Sequence, residues 1–284
     1  MKSSKSASVL VLQHPRLAQC DLSAVNRLSE KPVFAFDNTV LRLPVATDFR
    51  LPETIQAALL AQEIDFGILP DYAFADIGLI LSDMDSTLIT IECVDEIAAG
   101  VGLKAQVAAI TERSMRGELD FAQSLKERVS LLKGLPEETL QTVYDSVLQL
   151  TAGAVYLLDE CKKHHVKFML VSGGFTYFTE RLRKSLNLDA AYANQLVIEN
   201  RVLSGELSGR LIDAQTKADL LVEHREKWHL SQRVVLAVGD GANDIPMIQA
   251  ADIGVAFHAK PKTQAAADVS IRFSGLDALR KWFR

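Results

Sequence analysis

Cysteine is scarce in this chain. Its 284 residues include only three, Cys20, Cys93 and Cys161, far apart and odd in number. With no CxxC pair, neither a zinc ribbon nor a disulfide framework is expected. Scattered thiols suit a reducing cytoplasm. Long apolar runs are also missing, and no segment reaches the ~20 residues of a membrane span. The N-terminal "MKSSKSASVLVLQHP" carries an apolar run of about five residues, too short for a signal-peptide core. Positive charge is not in excess: 31 Lys and Arg against 36 Asp and Glu leave a formal net charge of −5. No general basic field exists to hold nucleic acid. The local cluster Arg181, Arg183 and Lys184 reads as a solvated helix face. The six histidines show no metal-ligand spacing, and His164 and His165 fall near a helix end, where positive charge is favourable. There is no repeat of period 20–50 and no low-complexity tract. What remains is a globular, cytoplasmic protein of one or two domains.

Two units are expected, residues 1–72 and 73–284. In the first, apolar runs at Ser8–Leu12, Val33–Phe36, Val40–Val45 and Ile64–Leu69 alternate with helical patterns near 22–29 and 52–62. That order, βαββαβ, predicts a small α+β unit of one sheet and two helices. The stretch from Leu69 to Ile77 reads as a linker. The second unit opens with Ile77–Ser82, a continuous apolar run of the kind buried on both faces of a parallel sheet. Residues 93–149 are helical in period. Further strands are expected at Val166–Val171 and Val234–Val238, followed by helical patterns at Tyr177–Leu186 and Asp244–Ala250, with one more strand at Ile253–Phe257 and a hairpin over Gln195–Leu207. Alternating strands and helices predict a doubly wound α/β domain with a parallel sheet and an inserted helical segment.

Three strand ends carry unusual polar residues: "SDMDST", "VSGGF" and "VGDGAND". Ligands of open α/β sheets bind outside the carboxyl ends of the strands. Asp83 and Asp85, one residue apart, point the same way if the chain stays extended. Two such carboxylates repel, and a divalent cation relieves the repulsion. Asp240 and Asp244 add further carboxylates. Ser172, Gly173 and Gly174 offer a hydroxyl and open backbone N–H groups near a helix start, a ready site for phosphate. Lys217, near the start of a helical run, adds one positive charge. An aspartate can attack phosphorus and become an aspartyl-phosphate. A second can protonate the leaving alcohol and then activate water. The echo "FAFDNT" at 34–39 lacks a carboxylate at its first acidic position and reads as a strand and turn.

"DMDSTL", "VSGG", Lys217 and "GDGANDIPMI" together resemble the four ordered motifs of the haloacid dehalogenase superfamily. "DMDSTLITIECVDEIA" and "SMRGELDFAQSLKERVSLLKGLP" narrow the likeness to its phosphoserine phosphatase branch. The resemblance spans about residues 77–275. It implies an Mg²⁺-dependent hydrolase that converts O-phospho-L-serine to L-serine, the last step of serine biosynthesis. It makes Asp83 the nucleophile and Asp85 the acid and base. The metal would rest on Asp83, Asp85 through its backbone carbonyl, and Asp240, with Asp244 in support. Ser172, Gly173, Lys217 and Asn243 would hold the phosphate. The helical insertion would be a cap in which Glu92 meets the substrate ammonium and Arg128 its carboxylate. Met115 and Phe121 would close the pocket.

The N-terminal unit resembles the ACT domains that bind amino acids, and serine binding, homodimerisation and simple packing all stay open for it. A phosphotransferase, a phosphatase for another small phosphomonoester, and a non-catalytic amino-acid sensor are the competing readings. An aspartyl-phosphate ion pump is excluded by the missing membrane spans.

Overall fold

The computed structural model describes residues 8–28 and 33–284, with Met115 described by its backbone alone. The N-terminal part contains β1 (Ser8–Gln13), α1 (Ser23–Asn26), β2 (Val33–Ala35), β3 (Val40–Val45), α2 (Glu53–Leu60) and β4 (Asp65–Pro70). Next, β5 (Ile77–Ser82) leads into α3 (Cys93–Gly100), α4 (Lys104–Met115), α5 (Phe121–Ser130) and α6 (Glu138–Ser146). Then come α7 (Ala154–Lys163), β6 (Lys167–Phe175), α8 (Thr176–Leu186), β7 (Ala190–Glu199), β8 (Val202–Ser208) and α9 (Ala214–Lys227). The chain closes with β9 (Val234–Gly239), α10 (Ile245–Ala250), β10 (Ile253–Phe257), α11 (Pro261–Ala266), β11 (Val269–Ile271) and α12 (Ala278–Lys281).

The strands join one sheet in the order β2-β3-β1-β4-β11-β10-β9-β5-β6-β7-β8. From β11 through β7 neighbours run parallel. Parallel strands must be covered on both faces, and β5 meets that demand with IGLILS, buried at every position. Ile80 enters the core on one face with Phe168 and Leu236. Leu79 and Leu81 enter the other, beneath Leu221 of α9 and Met247 of α10. The chain leaves β5 toward β6 on one side and later returns to β9 on the other. Strand order reverses there, so the crevice over the ends of β5, β6 and β9 is where a ligand belongs.

The helical insertion is bounded as a unit. Its two ends meet at an isolated bridge between Ile89 and Leu150, and Thr90 N–H donates to the Gln149 carbonyl at 3.0 Å. Its far side is tied to the β7–β8 hairpin, where Gly134 N–H donates to the Leu203 carbonyl at 2.8 Å. The hairpin pairing starts at Gln195, opposite Ser208, as the 195–207 alternation suggests, but its first strand begins earlier, at Ala190. β7 first pairs in parallel with β6 and only then in antiparallel with β8.

β1 to β4 and their two helices take the expected βαββαβ order. Helix α1 is shorter than the 22–29 pattern, whose last residue, Ser29, lies outside the described residues. Leu10, Leu12, Leu41 and Leu43 pack beneath Val25 of α1 and Leu59 of α2. The opposite face, Val9, Val11 and Val40, joins the main core beside Phe74 and Trp282. The 69–77 stretch is therefore not a loose linker. Phe74 is fully buried, and its N–H donates to the Arg284 carbonyl at 2.8 Å. Strand β4 pairs with β11 at Phe66 and Ser270. Beside that joint the buried Asp65 carboxylate accepts N–H bonds from Arg272 and Ser274, both at 2.6 Å. An apolar second face has to be covered, and here Phe74 and the C-terminal Leu279 and Trp282 join it in one core.

Candidate active site

Asp83 follows β5 directly, and its N–H donates to the Val238 carbonyl at 3.0 Å, one step beyond the ladder. Its carboxylate accepts from Met84 N–H at 2.7 Å. The backbone is extended at Asp83 and Asp85 and then turns sharply through Ser86, held in the left-handed region at φ +54°. Both carboxylates line one cavity of about 230 Å³. Ser172, Gly173, Asp240 and Asn243 line it too. The three strand ends singled out in the sequence thus meet at one place.

Lys217 and Asp244 lie beneath that cavity. Lys217, 1% exposed, donates to Asp83 Oδ1 at 2.8 Å and to Asp244 Oδ1 at 2.7 Å. Gly239 lets Asp244 come this close, since a β-carbon there would collide with the Asp244 carboxylate. Carboxylate oxygens of Asp83, Asp240 and Asp244 all fall within 4.8 Å of one another. Two carboxylates keep the Lys217 ammonium protonated against the cost of its burial. Burial and repulsion from Asp244 push the Asp83 carboxyl well above the usual range, and Lys217 opposes that only in part. Burial, with Asp244 and Glu92 nearby, raises Asp240 to about 6. A cluster with more carboxylates than cations, buried and built of hard oxygen donors, fits a divalent cation.

Asp85 is raised to about 7, chiefly by burial and then by Glu92. Its Oδ1 accepts from Cys93 N–H at 3.3 Å, at the first turn of α3. A carboxyl raised that far can both give and take a proton near neutral pH.

The cap supplies the opposite wall. Glu92, Phe121 and Arg128 all line the same cavity. Glu92 Oε1 accepts from Ser86 Oγ at 2.7 Å, and burial raises its pKa. Arg128 Nε donates to the Ser124 carbonyl at 3.3 Å, and burial lowers the pKa of its guanidinium. Among the described residues no carboxylate lies within ion-pair distance of it. The Phe121 ring covers Gly173 so closely that a β-carbon there would sit 3.3 Å from it. Met115 ends α4, and its side chain lies outside the described residues.

Two details differ from the sequence reading. Ser172, Gly173 and Gly174 lie near the end of β6, just before Phe175 and ahead of α8 rather than in its first turn. The Gly174 N–H is also taken, donating to Ser172 Oγ at 2.8 Å. Three residues escaped that reading. Ser86 orients Glu92, and Thr87 Oγ1 donates to Asp240 Oδ1 at 3.2 Å. Both stand inside "DMDSTL", where the aspartates drew attention away from the hydroxyls. The third, Asn194, is a buried amide in the middle of β7. Its one signal was an asparagine in an otherwise strand-forming run, where that residue is depleted.

A doubly wound sheet with paired aspartates after its first core strand, a buried lysine and a helical lid defines a class: hydrolases that attack with an aspartate. A family model described as haloacid dehalogenase-like hydrolase matches residues 80–249. The chain belongs to the haloacid dehalogenase-like hydrolase family. A phosphoserine phosphatase of Albidiferax ferrireducens is 44% identical over 238 residues, covering 82% of this chain and 99% of that protein. The unliganded crystal structure of a probable phosphoserine phosphatase from Vibrio cholerae matches with a TM-score of 0.81 and 37% identity, over 97% of this chain and 85% of that one. A phospho-aspartyl intermediate analogue of a phosphoserine phosphatase matches with a TM-score of 0.67 and 37% identity, over 73% of this chain and 99% of that one.

Proposed function

We propose that this chain is a phosphoserine phosphatase, hydrolysing O-phospho-L-serine to L-serine and phosphate through an aspartyl-phosphate. One observation carries the choice of substrate. The cavity that holds Asp83, Asp85 and Ser172 at one end presents a carboxylate, Glu92, and a guanidinium, Arg128, from its cap. Phosphoserine bears an ammonium and a carboxylate beside its phosphate. Arginine pairs with a carboxylate through two parallel hydrogen bonds, and Glu92 faces the ammonium. The identity to relatives called phosphoserine phosphatase supports the same choice.

The chemistry follows from the placement of the residues. A carboxylate oxygen of Asp83 attacks phosphorus, and the bond from phosphorus to the serine oxygen breaks. Asp85, whose carboxyl is raised to about 7 chiefly by burial, gives its proton to that leaving oxygen. As a carboxylate, Asp85 then takes a proton from water, whose oxygen attacks phosphorus and frees Asp83 and inorganic phosphate. Ser172 Oγ, the Gly173 N–H, Lys217 and Asn243 bind the phosphoryl oxygens. Asp83, the Asp85 carbonyl and Asp240 would hold Mg²⁺, with Asp244 anchoring Lys217 beside them. When bound, the cation offsets the charge of the phosphoryl group. Phe121 excludes water above Gly173, and Met115 is assigned to the same lid.

The unpaired thiols of Cys20, Cys93 and Cys161 suit a reducing cytoplasm. Among the described residues no helix is long and apolar enough to cross a membrane. The N-terminal unit is retained as a candidate ACT-like module for amino-acid binding or homodimerisation, and light scattering with and without L-serine tests it. The central test is phosphate release from O-phospho-L-serine, O-phospho-L-threonine and an aryl phosphate, with Mg²⁺ or with chelator. Mg²⁺-dependent preference for phosphoserine is expected. Equal turnover of all three would remove the Glu92 and Arg128 assignments.

A further inference from the structure

The phosphate loop Ser172–Gly174 leaves the sheet. β6 and β7 pair regularly up to Val171 and Tyr192, then shift register, and pair again only at Phe175 and Asn194. The Gly173 carbonyl has no ladder partner in that bulge. A buried carbonyl left unpaired is costly. Asn194, 1% exposed, meets the need, its Nδ2 donating to the Gly173 oxygen at 2.8 Å.

That one bond fixes a whole peptide. With the Gly173 carbonyl turned toward Asn194, the planar 173–174 peptide aims the Gly174 N–H the other way. There it donates to Ser172 Oγ at 2.8 Å. A hydroxyl whose oxygen is already accepting has its proton free to give, and Ser172 lines the cavity. The other end of the same amide reaches a second element. Asn194 Oδ1 accepts from Ile212 N–H at 2.9 Å. Ile212 immediately precedes Asp213, whose side chain caps α9 by accepting from Thr216 N–H at 2.8 Å. Lys217 lies in the first turn of that helix, its N–H donating to the Asp213 carbonyl at 3.0 Å.

We infer that Asn194 is a positioning residue for phosphate: its side-chain amide orients the Ser172 hydroxyl and holds the Lys217 helix at a fixed distance from it. Gly and Ser give the loop no stiffness of their own. The amide supplies the stiffness from behind, without touching substrate.

Because Asn194 acts through the phosphate loop, its role rests on the phosphatase reading above. Asn194→Asp is nearly isosteric and keeps the acceptor for Ile212, yet it loses the donor to Gly173. Asn194→Leu loses both. The assay is inhibition by inorganic phosphate, together with KM and kcat for O-phospho-L-serine at saturating Mg²⁺. Asn194→Asp should raise both the inhibition constant of phosphate and KM by about tenfold, the worth of one hydrogen bond to a charged group. The Mg²⁺ concentration for half-maximal activity should stay unchanged. In a Ser172→Ala background the same substitution should cost less than about threefold, because the hydroxyl it orients is gone. If Asn194→Leu does not fold, the Asp variant alone decides. A purely structural role would lower the active fraction, and so kcat, and leave the phosphate constant where it was. That result, or a cost of Asn194→Asp undiminished by Ser172→Ala, overturns the proposal. A wild-type enzyme inactive on phosphoserine would instead overturn the phosphatase reading.

Discussion

Replacing Asp83, the proposed nucleophile, should make the metal-free fold more stable while abolishing the proposed chemistry. Asp83 is 5% exposed and shares its site with Asp240, Asp244 and Lys217. Within 4.8 Å and at an effective dielectric of 20, each neighbouring carboxylate repels it by at least about 3.5 kcal/mol. Lys217 at 2.8 Å attracts it by about 6 kcal/mol on the same scale. The two repulsions slightly exceed the attraction, and burial of the charge adds a further cost of several kcal/mol. Asn at this position keeps an oxygen for Met84 N–H and Lys217, and Asp244 still balances the ammonium. Asp83→Asn should therefore stabilise the chelated protein by about 1–3 kcal/mol, a rise of about 2–5 °C in Tm for a chain of this length. Saturating Mg²⁺ should close the gap, because the cation offsets the wild-type charge. Phosphoserine turnover should fall by about 10⁴-fold or more. The assay is a thermal melt of both proteins in chelator and in Mg²⁺, beside phosphate release. A variant that melts below wild type in chelator would refute the charge balance on which the metal assignment stands.

Further outcomes follow from the same structure. Arg128→Lys keeps the charge but not the paired donors, so KM for phosphoserine should rise by about tenfold while KM for an aryl phosphate stays put. Equal shifts for both substrates would show that Arg128 does not read the carboxylate. Lys217→Met leaves Asp83 and Asp244 buried without their cation, and should lower stability by about 3 kcal/mol in chelator by denaturant titration. An unchanged midpoint would count against it. Away from the site, Glu160 binds Lys163 at 2.7 Å and Arg280 at 2.9 Å, and these bonds hold its carboxyl below its usual range. A depressed folded pKa contributes stability that is present above the unfolded value and lost as pH falls through the folded one. Glu160→Gln should thus cost about 1 kcal/mol at pH 7 and nothing below the carboxylate range. A penalty independent of pH would point to packing alone.

What could be read from the chain was local. Ile77–Ser82 declared a doubly covered strand because six consecutive residues carry that burial in their own side chains. Asp83, Ser172, Lys217 and Asp240 stood out because charge and glycine at strand ends are chemically conspicuous. Residues that act through partners distant in sequence gave far less. Thr87 matters because Asp240 lies beside it, and Asp65 because Arg272 and Ser274 turn their N–H groups toward it. The apolar runs of the N-terminal unit predicted its strands, yet the strand pattern did not say what would cover the second face. In the fold, Val9 and Val11 find Phe74 and Trp282, which lie far along the chain. Asn194 joins both lessons. Its residue type was wrong for a strand, a local conflict, and its meaning lies in Gly173 and Ile212, which its amide bridges. Local conflicts of that kind are where a sequence gives up packing for position. Asp83 and Asp85 were conspicuous in the sequence and their supports were not, because a proposed nucleophile must be a particular residue, whereas a support must only be in a particular place.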